Sequence, residues 1–292
     1  MTPYVSSEIA SQPQCWRRAG KLAHTAPVGL PVDGERVAFV GCGTSWFVGQ
    51  ALAALRESAG RGESDAFTAT EVPDRAYDRV IALTRSGTTS EVIEVLTRLE
   101  GRVPTTVVLG DLNTPAATAA DTVVDLSFAD EKSVVQTRFA TTTLALFRAS
   151  WGEDVDALAS QAEAALEESL PEAALGVDQL TFLGRGWTIG IANEAALKFR
   201  ESSSSWAEAY PAYDYRHGPI AIAQPGRAVW MFGDPPVGLA ADVASTGAGF
   251  VHHDRDALVD LVLAQRVAVQ RALDLGLDPD HPRSLTRSVI LV

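Results

Sequence analysis

The sequence predicts an α/β protein made of two stacked units, each a parallel sheet flanked by helices in a three-layer arrangement. Short apolar segments alternate with helical segments along the chain, a pattern typical of parallel sheets covered on both faces. The pattern also occurs twice, because Gly41-Cys42-Gly43 and Gly184-Arg185-Gly186 each lie between an apolar run and a helical segment. The two copies are separated by about the length of a domain, which favours two stacked domains over a solenoid.

The first 170 residues are expected to contain a lead-in segment and the first unit. Residues 1–30 form a helical lead-in, with Trp16, Ala19 and Leu22 at helical spacing within a helix over 6–23. The first unit spans residues 31–170. Its predicted strands are apolar runs at 36–41, 79–83, 105–109 and 122–126. Its predicted helices lie at 46–58, 90–99, 133–151 and 155–169.

The second unit and a C-terminal tail are expected over residues 171–292. A linker at 171–178 precedes three predicted strands, at 179–183, 228–232 and 249–253. Predicted helices lie at 187–201 and 257–273, and an apolar tail ends the chain at 288–292. The second unit thus repeats the strand–helix order of the first.

Composition excludes several classes of function. The 292 residues include 24 Lys and Arg against 37 Asp and Glu, a formal charge of −13. Such a surface repels phosphate backbones and anionic lipids, so neither nucleic-acid nor membrane binding is expected. The two cysteines, Cys15 and Cys42, provide no disulfide framework and no CxxC zinc motif. No signal peptide or membrane-length apolar run is found, so we expect a soluble, cytoplasmic protein.

Two glycine-hydroxyl turns are the strongest indication of a ligand site. The turns at 41–45 (GCGTS) and 84–89 (TRSGTT) each follow a predicted strand and precede a helix. Glycine lets a ligand approach the backbone, and a helix N-terminus favours an anion. Two such turns at the carboxyl edge of one sheet predict a phosphate site. The simpler alternative is that the Ser and Thr residues only cap the two helices.

Nucleotide-binding signatures fit these turns poorly. The chain has no P-loop motif, and after Gly41 and Gly43 the next glycine is Gly49, too late for the dinucleotide fingerprint. A phosphate monoester that also carries hydroxyl groups is therefore a better match.

A second group of polar residues lies between 193 and 219. Glu194, Lys198 and Glu201 are spaced to share one face of a helix. In isolation they would indicate only a solvated face. A serine run, several aromatic residues and His217 follow within twenty residues. A carboxylate and a histidine near a sugar phosphate are suited to moving a proton between adjacent carbons.

Taken together, these motifs resemble the double sugar-isomerase (SIS) domain family. The chain is similar to the isomerase half of glucosamine-6-phosphate synthase and to bacterial galactosamine-6-phosphate deaminase/isomerases. The motifs that carry the resemblance occur in order at 8–13, 41–45, 84–89, 131–138, 193–201, 207–210, 217–219 and 280–288.

The resemblance implies roles for individual residues. The implied sugar-phosphate site consists of Cys42, Thr44, Ser45, Thr84, Arg85, Ser86, Thr89, Gln136 and Arg287. Glu201 would move the proton between C1 and C2, and Lys198 would lie beside the substrate hydroxyls. His217 would assist ring opening from the partner subunit, which implies a homodimer. No metal and no organic cofactor is expected.

Departures from the family pattern restrict which reactions are expected. We expect no glutaminase domain, because the sugar-isomerase region fills the chain and Thr2 follows Met1. The synthase has Gln where Arg85 stands, Glu where Thr88 stands, and a C-terminal lysine where Arg287 stands. Arginine stays protonated, so a Schiff base at that position is excluded.

Three functions are compatible with the sequence. The first is isomerisation or deamination of an amino-sugar 6-phosphate to a ketose 6-phosphate. The second is aldose–ketose isomerisation of a non-amino sugar phosphate. The third is a non-catalytic sugar-phosphate sensor, which would need the phosphate turns but neither Glu201 nor His217.

Overall fold

The computed structural model describes residues 2–25 and 29–291, and it confirms the predicted α/β class with two parallel sheets flanked by helices. Residues 1 and 26–28 of the predicted lead-in and residue 292 of the predicted tail lie outside the described residues. In the described part of the chain no helix is both long and apolar enough to cross a membrane.

The first sheet has five strands. They are β1 (Val37–Gly41), β2 (Ser64–Thr68), β3 (Arg79–Thr84), β4 (Thr105–Leu109) and β5 (Thr122–Asp125). All pairs are parallel and the order is β2-β1-β3-β4-β5. The central strands β1 and β4 are buried along their whole length, as expected when helices cover both faces. Strand β2 was not predicted, because its half-buried Ser-Asp-Ala-Phe-Thr sequence has no continuous apolar run.

The second sheet has four strands. They are β6 (Gln179–Gly184), β7 (Trp206–Pro211), β8 (Arg227–Met231) and β9 (Gly249–His252). They pair in parallel in the order β7-β6-β8-β9. The edge strand β7 was not predicted, because its first and last residues are exposed and Glu208 interrupts it.

Ten α-helices surround the sheets in the described residues. They are α1 (Tyr4–Ala10), α2 (Gln12–His24), α3 (Thr44–Ser58), α4 (Ser90–Leu99), α5 (Pro115–Ala119), α6 (Arg138–Ser150), α7 (Val155–Glu167), α8 (Thr188–Ser203), α9 (Leu239–Ser245) and α10 (Ala257–Asp274). The lead-in contains two helices rather than the predicted one. Pro13 lies in the first turn of α2, a position that tolerates proline because its missing N–H would have no helical partner.

One predicted helix is too long at its start. The sequence predicts a helix over 133–151, but α6 begins at Arg138. The side chain of Glu131 accepts hydrogen bonds from the backbone N–H groups of Thr137 (2.6 Å) and Arg138 (2.9 Å). Its carboxylate thereby satisfies donors that the first turn leaves unpaired, and residues 130–137 form a loop.

One buried hydrophobic cluster extends across both units. Phe39 on β1 packs edge-on against Phe147 on α6, with ring centroids 5.6 Å apart. Phe182 on β6 contacts Phe199 on α8 at 5.2 Å. These side chains belong to a single buried cluster that includes residues from both sheets.

Helices α3 and α8 join the units at unusually close range. A Cβ atom added to Gly190 of α8 would lie 2.6 Å from the carbonyl oxygen of Phe47 and 2.7 Å from the amide nitrogen of Ala51, both in α3. The two backbones therefore touch at Gly190, and only glycine fits there.

We expect Gly190→Ala to lower the free energy of unfolding by about 1–3 kcal/mol, because α3 and α8 must separate to admit the methyl group. Gly20→Ala in α2 is the matched control, since its Cβ would meet only Val155 at 3.8 Å. The control should raise stability by about 0.5–1 kcal/mol through helix propensity alone. Urea denaturation measures the free energy of unfolding of both variants. Equal changes in the two variants would show that the contact at Gly190 does not exclude a methyl group.

Candidate functional site

A small polar cleft lies at the carboxyl edge of the first sheet, where β1 and β3 end. Its volume is about 30 Å³. The lining residues are Cys42, Ser45, Leu83, Thr84, Arg85, Ser86, Thr89, Val92, Gln136 and Arg287. The structure thus brings together eight of the nine residues assigned to sugar-phosphate binding from the sequence; the ninth, Thr44, lies beside Ser45 at the start of α3.

Both turns of the cleft require glycine. Gly43 and Gly87 have φ angles of 54° and 64°, in the left-handed region that favours glycine. A Cβ on Gly87 would also lie 2.0 Å from the Thr114 hydroxyl oxygen. These constraints fix the backbone that presents Ser45, Ser86 and Thr89.

The hydroxyl groups in these turns are not used as helix caps. Among the described residues, no side chain caps the first turn of α3 or of α4. The Thr84 hydroxyl accepts a hydrogen bond from the Gly87 N–H at 3.2 Å, and the Ser86 hydroxyl accepts one from the Thr88 N–H at 3.3 Å. The capping alternative therefore does not explain why hydroxyl residues are concentrated here.

The guanidinium of Arg85 is buried beneath the cleft. It donates hydrogen bonds to the carbonyls of Ser133 (2.8 Å), Val134 (3.1 Å) and Arg287 (3.3 Å), and the residue is 1% exposed. Burial lowers the pKa of Arg85, and the negative charge of Glu131, 3.8 Å away, partly offsets this. All the named partners of its guanidinium lie on residues 131–134 or on the C-terminal tail.

The C-terminal tail lies over the turn at residues 84–89, which is called the phosphate turn below after its expected ligand. Arg287 forms an ion pair with Asp130 at 2.5 Å and donates a hydrogen bond to the Glu131 carbonyl. The Thr88 hydroxyl donates to Ser288 at 2.9 Å, and the Ser90 N–H donates to the Val289 carbonyl at 3.1 Å.

Gln136 reaches the cleft from the loop that precedes α6. Its side-chain oxygen is buried and has no hydrogen-bond partner among the described residues. A buried amide oxygen without a partner is costly, since burial removes it from water. Its position in the lining makes it available to a hydroxyl group of a ligand.

A buried cluster of charged groups adjoins the cleft through Thr44. The ammonium group of Lys198 lies 2.9 Å from the Thr44 hydroxyl and 2.5 Å from the Glu201 carboxylate. Glu194 is 3.4 Å from the same ammonium group. Lys198 and Glu194 are each 1% exposed and the Glu201 side chain is 19% exposed, so the alternative of a solvated helix face is wrong.

Burial and mutual charge shift the pKa values in this cluster. Burial raises the pKa of Glu194 to about 7, although the charge of Lys198 opposes the shift. For Lys198, burial lowers the pKa, but the two carboxylates outweigh it and leave the pKa above its ordinary value. Lys198 therefore stays protonated, while Glu194 can change protonation state near neutral pH.

His217 lies apart from these groups in the described chain. It ends the short turn Asp214–His217 and is exposed. It is not in the lining of the cleft, and the hydrogen bonds of Lys198 go to Thr44 and Glu201 instead. Within the described residues no group of three or more His, Cys, Asp or Glu residues is arranged to hold a metal ion.

A comparison with known families finds a match within the first unit. Residues 32–150 match the family model described as the SIS domain. The match covers β1 to β5 and both turns of the cleft, so the cleft lies at the carboxyl edge of the matched sheet.

Curated relatives extend the likeness along the chain. Glutamine–fructose-6-phosphate aminotransferase (isomerizing) of Pyrobaculum aerophilum is 27% identical, over 98% of this chain and 57% of the relative. The same-named protein of Synechocystis sp. is 27% identical, over 94% of this chain and 55% of the relative. The chain therefore spans little more than half the length of these relatives.

Solved structures share the fold over nearly the full length. Glucosamine-6-phosphate deaminase from Thermotoga maritima has a TM-score of 0.82 and 23% identity, covering 98% of this chain and 100% of its own. Tagatose-6-phosphate ketose/aldose isomerase from Escherichia coli has a TM-score of 0.75 and 19% identity, covering 97% and 100%. At these identities the likeness establishes the fold alone.

Sequence reasoning missed the importance of two acidic residues. Glu194 was placed on the shared helix face but given no role, and its spacing from Lys198 was the available signal. Glu131 lay just before the helix predicted at 133–151, and its separation of six residues from Thr137 gave no sign that it caps α6.

The raised pKa of Glu194 predicts a pH-dependent stability. The folded protein binds this proton more tightly than the unfolded chain, where glutamate titrates near 4.5. The contribution of Glu194 to the free energy of unfolding therefore falls as the pH rises from about 4.5 to about 7, by on the order of 3 kcal/mol. Urea titrations of wild type and Glu194→Gln across this range should differ by that pH-dependent amount. Glu94→Gln, on the exposed part of α4, should follow wild type, and a pH-independent difference for Glu194→Gln would contradict the assignment.

Proposed function

We propose that the chain is a phosphosugar isomerase that converts an amino-sugar 6-phosphate into a ketose 6-phosphate and ammonia. The observation that carries the proposal is the 2.9 Å contact between Lys198 and Thr44. It sets a lysine–carboxylate cluster beside the hydroxyl-lined cleft, at the point where a sugar bound by its phosphate would extend its reacting carbons. The likeness to aminotransferase and deaminase relatives supports the choice of an amino sugar.

Phosphate recognition is assigned to the hydroxyl groups of Ser45, Thr84, Ser86 and Thr89. Because the chain carries a formal charge of −13, an anion must be held by local donors rather than by the overall field. Arg287, at the edge of the cleft, adds a positive charge. Gln136 and Thr44 are assigned to hydroxyl groups of the sugar.

Glu201 is assigned as the general base and acid. In the open-chain amino sugar it would take the proton from C2 and return it to C1. The aldehyde oxygen at C1 gains a proton and the C2 amine loses one, which leaves a hydroxyl at C1 and an imine at C2. Addition of water to the imine then releases ammonia and leaves the ketone. Lys198 remains protonated and would orient substrate oxygen atoms, while Glu194 holds the ammonium group from the other side. The partial exposure of Glu201 is suited to contact with substrate.

A plain aldose–ketose isomerase is the second candidate. The same proton transfer on a 2-hydroxy sugar yields a ketose without release of ammonia. The structural likeness to tagatose-6-phosphate ketose/aldose isomerase favours it. A non-catalytic sensor is less well supported, because a sensor has no need for a carboxylate 2.5 Å from a buried lysine.

We further propose that the active form is a homodimer in which His217 enters the partner's site and assists ring opening. His217 is exposed and lies among other exposed groups of the second unit. Tyr213 and Val237 are exposed, and Trp206 on the edge strand β7 is 71% exposed. The carbonyl of Val237 accepts a hydrogen bond from Arg216, beside His217. Exposed apolar side chains near His217 in sequence, such as Tyr213, are typical of interaction surfaces.

Glu201→Gln tests the catalytic assignment, because it keeps the size of the side chain and removes the titrating group. We expect turnover of a hexosamine 6-phosphate to fall on the order of 10²–10⁴-fold, the usual contribution of a general acid–base group. Incorporation of solvent deuterium at C1 or C2 should disappear together with ammonia release. Glu100→Gln, on an exposed residue after α4, is the control and should resemble wild type.

The outcomes separate the candidate functions. Deuterium exchange without ammonia release would favour the plain isomerase. Tight binding without exchange of any hexose or hexosamine 6-phosphate would favour the sensor. Wild-type turnover in Glu201→Gln would assign the proton transfer to another residue.

Mixing two inactive variants tests the dimer. If each site combines Glu201 of one chain with the histidine of the other, His217→Ala and Glu201→Ala chains complement each other. Random exchange yields half heterodimers with one intact site each, so about a quarter of wild-type turnover should return. Heterodimers verified by mass but without activity would mean that both groups serve the same chain.

A further inference from the structure

The loop at residues 130–137 presents Gln136 to the cleft and is held in place by buried charged groups. From one side, the carboxylate of Glu8 on α1 accepts a hydrogen bond from the Lys132 N–H at 2.6 Å. From within the loop, Glu131 accepts from the backbone of Thr137 and Arg138, as described above. These carboxylates satisfy N–H donors but leave the loop carbonyls to other partners.

Arg85 supplies the donors for those carbonyls. It belongs to the phosphate turn, yet its guanidinium donates to the carbonyls of Ser133, Val134 and Arg287. One side chain thus joins the phosphate turn to the loop of Gln136 and to the tail of Arg287. The three parts come from distant positions in the chain.

Charge and burial favour a fixed geometry for this link. Arg85 is 1% exposed, so its positive charge requires compensation, and Glu131 lies 3.8 Å away. An arginine fork presents several donors in a fixed plane, which suits three carbonyls better than a single ammonium group does. The hydrogen bonds to these carbonyls engage both terminal nitrogens of the guanidinium, which leaves less of it available for a phosphate.

We propose that Arg85 is a positioning residue that sets the Gln136 loop and the Arg287 tail at a fixed distance from the phosphate turn, and not a ligand of the phosphate group. This inference rests on the proposed function. In this arrangement the hydroxyl groups in the turns hold the phosphate. Arg85 determines where Gln136 and Arg287 lie, and thereby affects which sugar is accepted.

The experiment uses full-length Arg85→Gln and Arg85→Lys, with Thr89→Val as the matched variant that removes a predicted phosphate ligand. For Arg85→Gln we expect the KM for the sugar phosphate to rise at least about tenfold, as expected when hydrogen bonds to a charged group are lost. The Kd of inorganic phosphate, measured by calorimetry, should change by less than about threefold. Thr89→Val should weaken both. Arg85→Lys, which keeps the charge opposite Glu131, should recover part of the KM effect.

Hydrogen exchange gives a readout that does not depend on catalysis. In the ligand-free protein, Arg85→Gln should increase the exchange of amides at 130–137 and 284–291 by about tenfold or more, because local opening governs their protection. Amides of β3 should keep wild-type protection. If Arg85→Gln does not fold, Arg85→Lys should show the same pattern at smaller amplitude.

The opposite pattern overturns the inference. If Arg85→Gln weakens the binding of inorganic phosphate as much as Thr89→Val does, and amide hydrogen exchange at 130–137 is unchanged, then Arg85 is a phosphate ligand. Failure of the proposed function is distinguishable: a wild-type protein that turns over no sugar phosphate removes the KM comparison, whereas the phosphate and exchange measurements still decide the role of Arg85.

Discussion

The close contact between α3 and α8 is the constraint on which the candidate site depends. Gly190 lets the two helices touch through their backbones, and two turns further along α8 this brings Lys198 to the Thr44 hydroxyl. The first unit supplies the hydroxyl-lined turns, and the second supplies the lysine and its carboxylates. A larger residue at position 190 would push α3 and α8 apart, and with them the two sets of groups.

Both cationic groups buried around the cleft are balanced by carboxylates. Lys198 lies between Glu194 and Glu201, and Arg85 faces Glu131. A buried charge is tolerated only when a partner and hydrogen bonds compensate the lost hydration. The two clusters position different groups. The first holds a protonated lysine beside a partly exposed carboxylate, and the second holds the main-chain carbonyls of the 130–137 loop and of the tail in place. In each cluster, the groups that compensate the buried charge also determine the positions of neighbouring groups.

Much of this architecture follows from local pattern, and the rest from contacts that sequence does not display. The α/β class and the helix at Ser90–Leu99 were predicted, because apolar periodicity is strong in these segments. Strands β2 and β7 were missed because polar residues interrupt them at the sheet edges. The grouping of eight cleft residues was predicted through family resemblance. The inward orientation of Arg85 was not, because its partners lie 48 to 202 positions away.

The core that spans both sheets has a consequence for how the protein unfolds. Phe39 and Phe147 from the first unit and Phe182 and Trp230 from the second belong to one buried cluster, so separating the units exposes apolar surface on each. Domains with independent cores melt in separate steps, whereas a shared core links their melting. The two sheets are thus expected to behave as a single cooperative unit under heat, despite being built from two copies of one pattern.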